Sequence, residues 1–233
     1  TKNLLLTTTG SFRTDAEGYL TSTFGLVLMG WKAKQDGTMS VHPRDTTQGL
    51  EPIKINRNQF LHDPTTKITF AANLPATGTE VGADGSVEKS SLEYFDNLGK
   101  TQSLNIEFKP KVPASGAASN KWTMTIKDSS QNNALVGEYE LTFDDSRAKG
   151  GVLKSVTTTS GGVYDATTGK MTLTVGGGPI DFTIGKPGEK GAVTQLSDAY
   201  SLIKSEADGS QVGSISSVEI DEKGFVIATF DNG

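Results

Sequence analysis

The chain has 233 residues, 34% of them hydrophobic and 27 of them glycine, enough to bury a core in one large or two small domains and too apolar for a disordered tail. Its 22 Lys and Arg against 27 Asp and Glu give a formal charge of −5, scattered rather than blocked, which leaves no basic stripe for nucleic acid. Zero cysteines exclude a disulfide framework, thiolate metal sites, Cys nucleophiles and iron–sulfur clusters, and no apolar run approaches the roughly 20 residues of a membrane-spanning helix.

From Thr1 the chain opens directly into the strand-like run Leu4-Leu5-Leu6, without a basic leader or small-residue cleavage site, as expected of a piece of a longer chain. Asp15-Ala16-Glu17-Gly18 and Gln35-Asp36-Gly37 then carry turn chemistry, because glycine supplies a positive φ and aspartate caps the backbone two residues on. Asn58 to Thr66, broken by Pro64, reads as a crossing between units. Beyond it, apolar residues alternate with a period of two: Leu92 and Tyr94, Leu104, Ile106 and Phe108, Trp122, Met124 and Ile126, Tyr139, Leu141 and Phe143, Met171, Leu173 and Val175, Ile180, Phe182 and Ile184. That spacing places each set on one face of a strand.

Ala83-Asp84-Gly85, Asp96-Asn97-Leu98-Gly99, Asp208-Gly209 and Asp221-Glu222-Lys223-Gly224 add further turns, each expected to close a hairpin. Pro113–Asn120 and Thr157–Gly162, rich in Gly, Ala, Ser or Thr, read as exposed loop tips, and Gly185–Gly191 as a second crossing. Gln195–Ser205, with Leu196, Tyr200 and Ile203, has a weak helical spacing worth a turn or two. Thr is the commonest residue, with 29 copies, and many stand in the strands, where β-branched side chains fit a pleated surface. The expected class is all-β: two antiparallel, sandwich-like or barrel-like domains, with 67–185 inserted into a discontinuous domain made of 1–66 and 186–233. Phe12 to Phe24 and Val218 to Phe230 share the order strand, Asp-x-x-Gly, aromatic, strand, which describes either two related hairpins or one common turn solution met twice.

Few residues suggest chemistry. His42 and His62 stand in turn-like surroundings without a partner motif and read as solvated loop residues. No zincin, α/β-hydrolase or phosphate-loop motif occurs, and Gly176-Gly177-Gly178-Pro179 leads into a strand, not a helix, so it reads as a hairpin. Asp144-Asp145 and Asp221-Glu222 are sequence neighbours and cannot face each other across a cleft as hydrolytic carboxylates do, which leaves them as turn residues. Trp31 and Trp122 lie in alternating apolar patterns and are expected in the core rather than on a sugar-binding platform. Neither catalytic nor metal-binding nor cofactor-binding residues are assigned. The residues alone thus reach a two-unit all-β protein that is structural or binds a partner.

A longer pattern goes further. Thr9-Gly10-Ser11-Phe12-Arg13-Thr14-Asp15-Ala16-Glu17-Gly18-Tyr19-Leu20, followed by Gly25-Leu26-Val27-Leu28-Met29-Gly30-Trp31, resembles the signature of the bacterial flagellar rod and hook family: Thr-Arg-x-Gly-x-Phe, Asp-x-x-Gly-Tyr-Leu, then Gly-x-x-Leu-x-Gly before an aromatic. Pro52-Ile53-Lys54-Ile55 is similar to its proline-led strand, Thr69-Phe70-Ala71-Ala72-Asn73-Leu74 to its entry into the next domain, the segment from Leu92 through Asp96 and Gly99 to Phe108 to a second hairpin, and the segment from Ser205 to Gly224 to its C-terminal pattern. Thr7-Thr8 stands for the usual Thr-Arg, and Gln102 for a usual His. The inserted domain favours the hook members of the family over the short rod members.

The resemblance implies a structural, non-enzymatic subunit without cofactors. It would lie in the bacterial flagellum at the hook, outside the cell, exported without a cleaved signal peptide, the fragment lacking both terminal helical segments. It implies a helical homopolymer, a curved tube that passes motor torque to the filament as a universal joint, with adjoining rod, hook-cap and hook–filament junction proteins as partners and neither nucleic acid nor membrane. It makes 1–66 with 186–233 the middle hook domain and 67–185 the outer one, and gives structural roles to Gly10, Phe12, Asp15, Gly18, Tyr19, Leu20, Gly30, Asp96, Gly99 and Gly224. An extracellular carbohydrate-binding or adhesin-like β-sandwich is the alternative, marked by an exposed Trp122; a secreted hydrolase would need two carboxylates converging in a pocket.

Overall fold

The computed structural model describes residues 4–8, 11–34, 38, 46–55 and 61–232, and the chain divides into two compact units, Thr1–Leu61 with Ser214–Asp231, and His62–Gly213 with Asn232–Gly233. The described residues form strands and two single 3-10 turns, Ala76–Thr79 and Ser129–Gln131, and among them no helix is long and apolar enough to cross a membrane.

In the first unit, β1 (Phe12–Thr14) and β2 (Leu20–Ser22) form one hairpin, and β3 (Met29–Gly30) pairs with β4 (Glu51–Pro52). Single backbone hydrogen bonds knit these short pieces together: Leu20 N to Ile53 O (3.0 Å), Ile53 N to Leu28 O (2.9 Å) and Leu28 N to Leu20 O (2.7 Å). Leu20, 3% exposed, is the one deeply buried apolar side chain among this unit's described residues. The unit therefore leans on backbone pairing more than on a core.

β5 (Leu61–Asp63) begins on the last residue of the first unit's N-terminal segment and runs into the second unit, where β6 (Lys67–Pro75) follows. A meander follows: β7 (Glu88–Phe95), β8 (Thr101–Pro110), β9 (Lys121–Asp128), β10 (Ala134–Phe143) and β11 (Leu153–Gly161), antiparallel neighbours in one five-stranded sheet. The hairpin β12 (Lys170–Val175) and β13 (Gly178–Thr183) then joins β6 in a second sheet, completed by β14 (Thr194–Leu196) and β15 (Ser201–Ala207), while β16 (Ser210–Gly213) pairs with β5. Back in the first unit, β17 (Ile215–Ile220) and β18 (Val226–Phe230) form the last hairpin.

Every alternating apolar set read from the sequence lies in one core cluster of the second unit, filled by Trp122, Tyr94, Tyr139, Phe70, Phe108 and Phe182 among others. Phe70 stacks on Phe108 and on Phe182, ring centroids 5.9 Å apart in each pair, so aromatic packing joins the inner faces of the two sheets. The β9 strand shows the principle in its burial, every second residue from Trp122 to Asp128 being buried.

The class is all-β as expected, but the second sheet is mixed: β6 runs parallel to β13 and to β14 and antiparallel to β15. Both parallel partners lie on one edge of β6, because β15 takes the opposite edge over a range overlapping each of them. The segment 184–193 is thus an excursion between two strands on the same edge. The sequence placed the insert between 67 and 185 on the Pro and Gly signals; strand pairing carries this unit on to Gly213.

Three local expectations are corrected. Gln195–Ser205 is not helical, since β14 and β15 occupy most of it and their backbone groups pair with β6. Thr157–Gly162 is no loop tip: all but Gly162 belong to β11, whose polar residues are exposed because it is a sheet edge, whereas Pro113–Asn120 is a loop. Ala83-Asp84-Gly85 and Asp208-Gly209 do not close hairpins; the first lies in the crossing from β6 to β7, and the second is a bend between β15 and β16, which pair with β6 and β5. Gln35 to Gly37 lies outside the described residues.

Candidate functional site

The family-motif residues converge on one local device. Asp15 Oδ1 accepts from the amides of Glu17 (3.1 Å) and Tyr19 (2.7 Å), while Gly18 N donates to Asp15 O (3.1 Å) and Asp15 N to Tyr19 O (2.9 Å). The same pattern recurs at Asp96, whose Oδ1 accepts from Leu98 N (2.9 Å) and Lys100 N (3.0 Å), and at Asp221, which accepts from Lys223 N (2.9 Å) and Phe225 N (2.8 Å). Ser22 builds a fourth copy, its hydroxyl accepting from Phe24 N (3.3 Å) and Leu26 N (3.2 Å). In all four the fourth residue is a glycine with positive φ: Gly18 at 90°, Gly25 at 75°, Gly99 at 73° and Gly224 at 84°. An Asp or Ser that satisfies two amides and a glycine that turns left-handed are what this hairpin needs.

The glycines differ in their surroundings. A Cβ on Gly18 would overlap the Ile55 carbonyl oxygen; on Gly99 it would lie 2.5 Å from Val212 Cγ2; on Gly224 it would meet nothing within 4 Å. Gly30 faces the Ile53 side chain, 2.7 Å from the nearest carbon by the same measure. Tyr19 receives the Lys54 ammonium 5.2 Å from its ring centroid, and Phe12 is half-buried beside Leu20. Gly10 lies outside the described residues, as does His42.

Of the other residues singled out in the sequence, His62 is half-buried and its Nε2 faces the Asn97 carbonyl at 3.1 Å. Asp144 accepts from Ser146 N (2.8 Å), a turn role, and among the described residues no group of three or more His, Asp or Glu is placed to hold a metal ion. Trp122 is fully buried and donates from Nε1 to Gln195 Oε1 (2.8 Å), which removes the platform that the carbohydrate-binding alternative required. Trp31 is only half-buried and donates to Gln48 O (2.9 Å). In the first unit, Phe12, Leu20 and Ile55 face Ile215 and Val218 across an open groove of about 630 Å³ whose one charged lining residue is Arg13. No pair of carboxylates converges in it.

The sequence did not single out Asp128. Its carboxylate is fully buried at the end of β9, where it accepts from Tyr94 Oη (2.7 Å), Ser130 N (3.0 Å), Ser130 Oγ (2.6 Å), Gln131 Nε2 (3.1 Å) and Gly176 N (2.9 Å). Burial opposes its ionisation, but the Ser130 hydroxyl, the Gly176 amide and the Tyr94 phenol outweigh burial and hold the carboxyl below its ordinary range. Burial pushes the Tyr94 phenol up. The outer face of the meander carries Glu107 between Lys89 (3.4 Å) and Lys127 (3.2 Å), and Glu140 between Lys111 and Lys121, a polar and partly exposed surface.

A model of the family described as flagellar basal body protein FlaE D2 domain matches residues 71–210. The chain is 29% identical over 232 residues to the flagellar hook protein FlgE of Rhizobium meliloti (strain 1021), a match covering 98% of this chain and 51% of that protein. It is 28% identical over 264 residues to the flagellar hook protein FlgE of Treponema pallidum (strain Nichols), covering 97% of this chain and 55% of that protein. The chain spans about half the length of the curated relatives it matches. The crystal structure of Helicobacter pylori flagellar hook protein FlgE2 shares the fold with a TM-score of 0.54 over 96% of this chain and 78% of that one, at 14% identity.

Proposed function

The chain belongs to the flagellar basal body protein FlaE D2 domain family over residues 71–210, and from that membership we propose that it is the middle and outer part of a flagellar hook subunit, a structural protein and not an enzyme. The unit built from the two chain ends is the middle domain, and the inserted sandwich is the outer domain. Copies of the full-length protein polymerise into a curved tube at the cell surface that passes torque from motor to filament, meeting rod, hook-cap and junction proteins at its ends. Export proceeds without a cleaved signal peptide.

Family membership is the observation that carries this reading, and the surface chemistry supports it. A tube that bends as it turns must let neighbouring subunits slide and re-pair in every revolution. Polar faces such as that of the meander, with Glu107 and Glu140 bridging lysines, exchange partners through water at low cost, whereas large apolar interfaces lock. Gold-labelled antibodies against residues 1–233, applied to isolated flagella of the source bacterium, test the reading. Label is expected along the hook; label confined to the filament, or absent from flagella, contradicts it.

A further inference from the structure

The four turns built on one plan differ at their third position, which holds Glu17, Leu98 and Lys223 in the Asp-led turns and Phe24 in the turn led by Ser22. The turn makes no demand on the side chain there. Ser22 Oγ satisfies the amides of Phe24 and Leu26, Gly25 supplies the positive φ, and Gly25 N donates to Ser22 O at 3.0 Å, all without the third side chain. The sister positions in the first unit, Glu17 and Lys223, are charged and exposed, as suits a tip in water. Phe24 is 83% exposed instead, Leu26 and Val27 behind it are exposed as well, and no charged residue stands between Glu17 and Lys32. This hairpin therefore presents an apolar knob that its own turn does not require, and contiguous exposed apolar surface marks a contact with a partner.

The same unit carries a matching hollow. The open groove of about 630 Å³ is lined by Phe12 and Arg13 of β1, Leu20 of β2, Ile55, and Ile215 and Val218 of β17, among others. It has room for a phenyl ring with an aliphatic neighbour, and Arg13 is its one charged lining residue. None of Phe24, Leu26 and Val27 lines this groove in its own chain. Knob and groove are thus different patches on one surface. Joining them pairs each copy with the next instead of back with the first, a head-to-tail contact that repeats into an open polymer wherever the rotation does not close a ring.

We propose that Phe24 of one copy docks in the groove between β1 and β17 of a second copy of this chain, so that the first unit carries both halves of a head-to-tail contact. Entry of the knob strips water from no charge of its own, since its hairpin has none. The contact is small, one ring and its aliphatic flanks, so it sets the register of neighbouring copies without the locking that a large apolar interface brings. Its part in a hook rests on the proposed function; the contact itself rests on the surface of the first unit.

The photoreactive analogue p-benzoylphenylalanine at position 24 keeps an aromatic knob and bonds to the groups it touches. Irradiation of concentrated residues 1–233 carrying it is expected to give dimers and a ladder of longer species, with adducts on the peptides that hold Phe12–Thr14 or Ser214–Val218. Val218→Arg in every chain is expected to remove the ladder; confined to the probe-bearing chain, with unlabelled parent chain added, it is expected to leave dimers. Phe24→Glu, which copies the sister turn at Glu17, is expected to keep the melting midpoint of the first unit and to abolish the rise of mass with concentration that sedimentation equilibrium shows for the parent. Adducts within one chain only, adducts from tip to tip or on the sandwich, no adduct between chains, or a Phe24→Glu chain that associates like the parent each overturn the contact. Because these readouts use residues 1–233 alone, they stand whether or not the protein is found in hooks. Full-length protein with Phe24→Glu is expected to build fewer and shorter hooks; normal hooks overturn the role in assembly, and absence of the parent protein from hooks overturns the functional reading alone.

Discussion

The Ile55 backbone lies against Gly18: its amide donates to the Gly18 carbonyl at 2.7 Å, and its own carbonyl oxygen occupies the space a Cβ on Gly18 would need. Gly18 therefore meets two separate demands, a positive φ and a neighbour that leaves no room for a side chain. Gly224, in the matching turn of β17–β18, meets only the first.

That difference predicts unequal substitutions. Gly224→Ala pays only for the left-handed conformation, about 1 kcal/mol. Gly18→Ala must also displace the Ile55 backbone, and its loss is expected to exceed that of Gly224→Ala by about 1 kcal/mol or more. Both act on the unit that contains Leu20, and the transition of the sandwich, whose core cluster neither glycine joins, stays where it was. Thermal melts that resolve the two units check this; equal losses for the two variants would contradict the close approach at Ile55.

Asp128 predicts an acid sensitivity of the sandwich. Its folded pKa is depressed, so the stability it contributes is present above its unfolded value of about 4 and is lost as pH falls through the lower folded value. Asp96 and Asp208 are held low as well, burial opposing the shift and the Gln102 and Thr66 side chains leading the groups that outweigh it, so they act in the same window. The melting midpoint of the sandwich is expected to drop as pH is lowered below about 4. Asp128→Ala strands several buried donors and is expected to cost about 3 kcal/mol or more at neutral pH while flattening the acid dependence. A variant with the parent's acid profile would remove Asp128 from the account.

Trp122 predicts a large, local effect. Its ring fills the core and its Nε1 is paired with Gln195, whose Nε2 in turn reaches Asn120 Oδ1 at 2.8 Å. Trp122→Ala is expected to destabilise the sandwich by about 3–5 kcal/mol. Its fluorescence should be blue-shifted relative to that of the half-buried Trp31 and unmoved by added polysaccharide; quenching of the buried indole by a glycan would revive a sugar-binding role.

The meander was legible because each of its strands has one dry face, so a period of two is written into residues such as Leu104, Ile106 and Phe108. β6 was not, since Phe70, Ala71, Ala72, Asn73 and Leu74 are buried in succession, on both faces of the strand, which erases alternation. Leu196, Tyr200 and Ile203 mimic a helical spacing only because a bend separates β14 from β15. The three Asp-x-x-Gly turns at Asp15, Asp96 and Asp221 were legible as local chemistry, whereas the bend at Asp208 depends on pairing with a segment more than 140 residues earlier. Asp128 carried a signal that went unused: it continues the inward parity of Trp122, Met124 and Ile126, and a carboxylate at a dry position needs donors around it. What Gly99 seats depends on His62 and Val212, far apart in sequence, and no local pattern could show it.

Electron cryomicroscopy of hooks isolated from the source bacterium tests the hook assignment most directly. The account predicts a helical tube in which each subunit carries, outside the inner wall, the sandwich of residues 62–213 joined through β5 and β16 to the smaller unit. A hook map whose subunit density cannot accommodate that sandwich, or whose side-chain density follows another sequence, would contradict it.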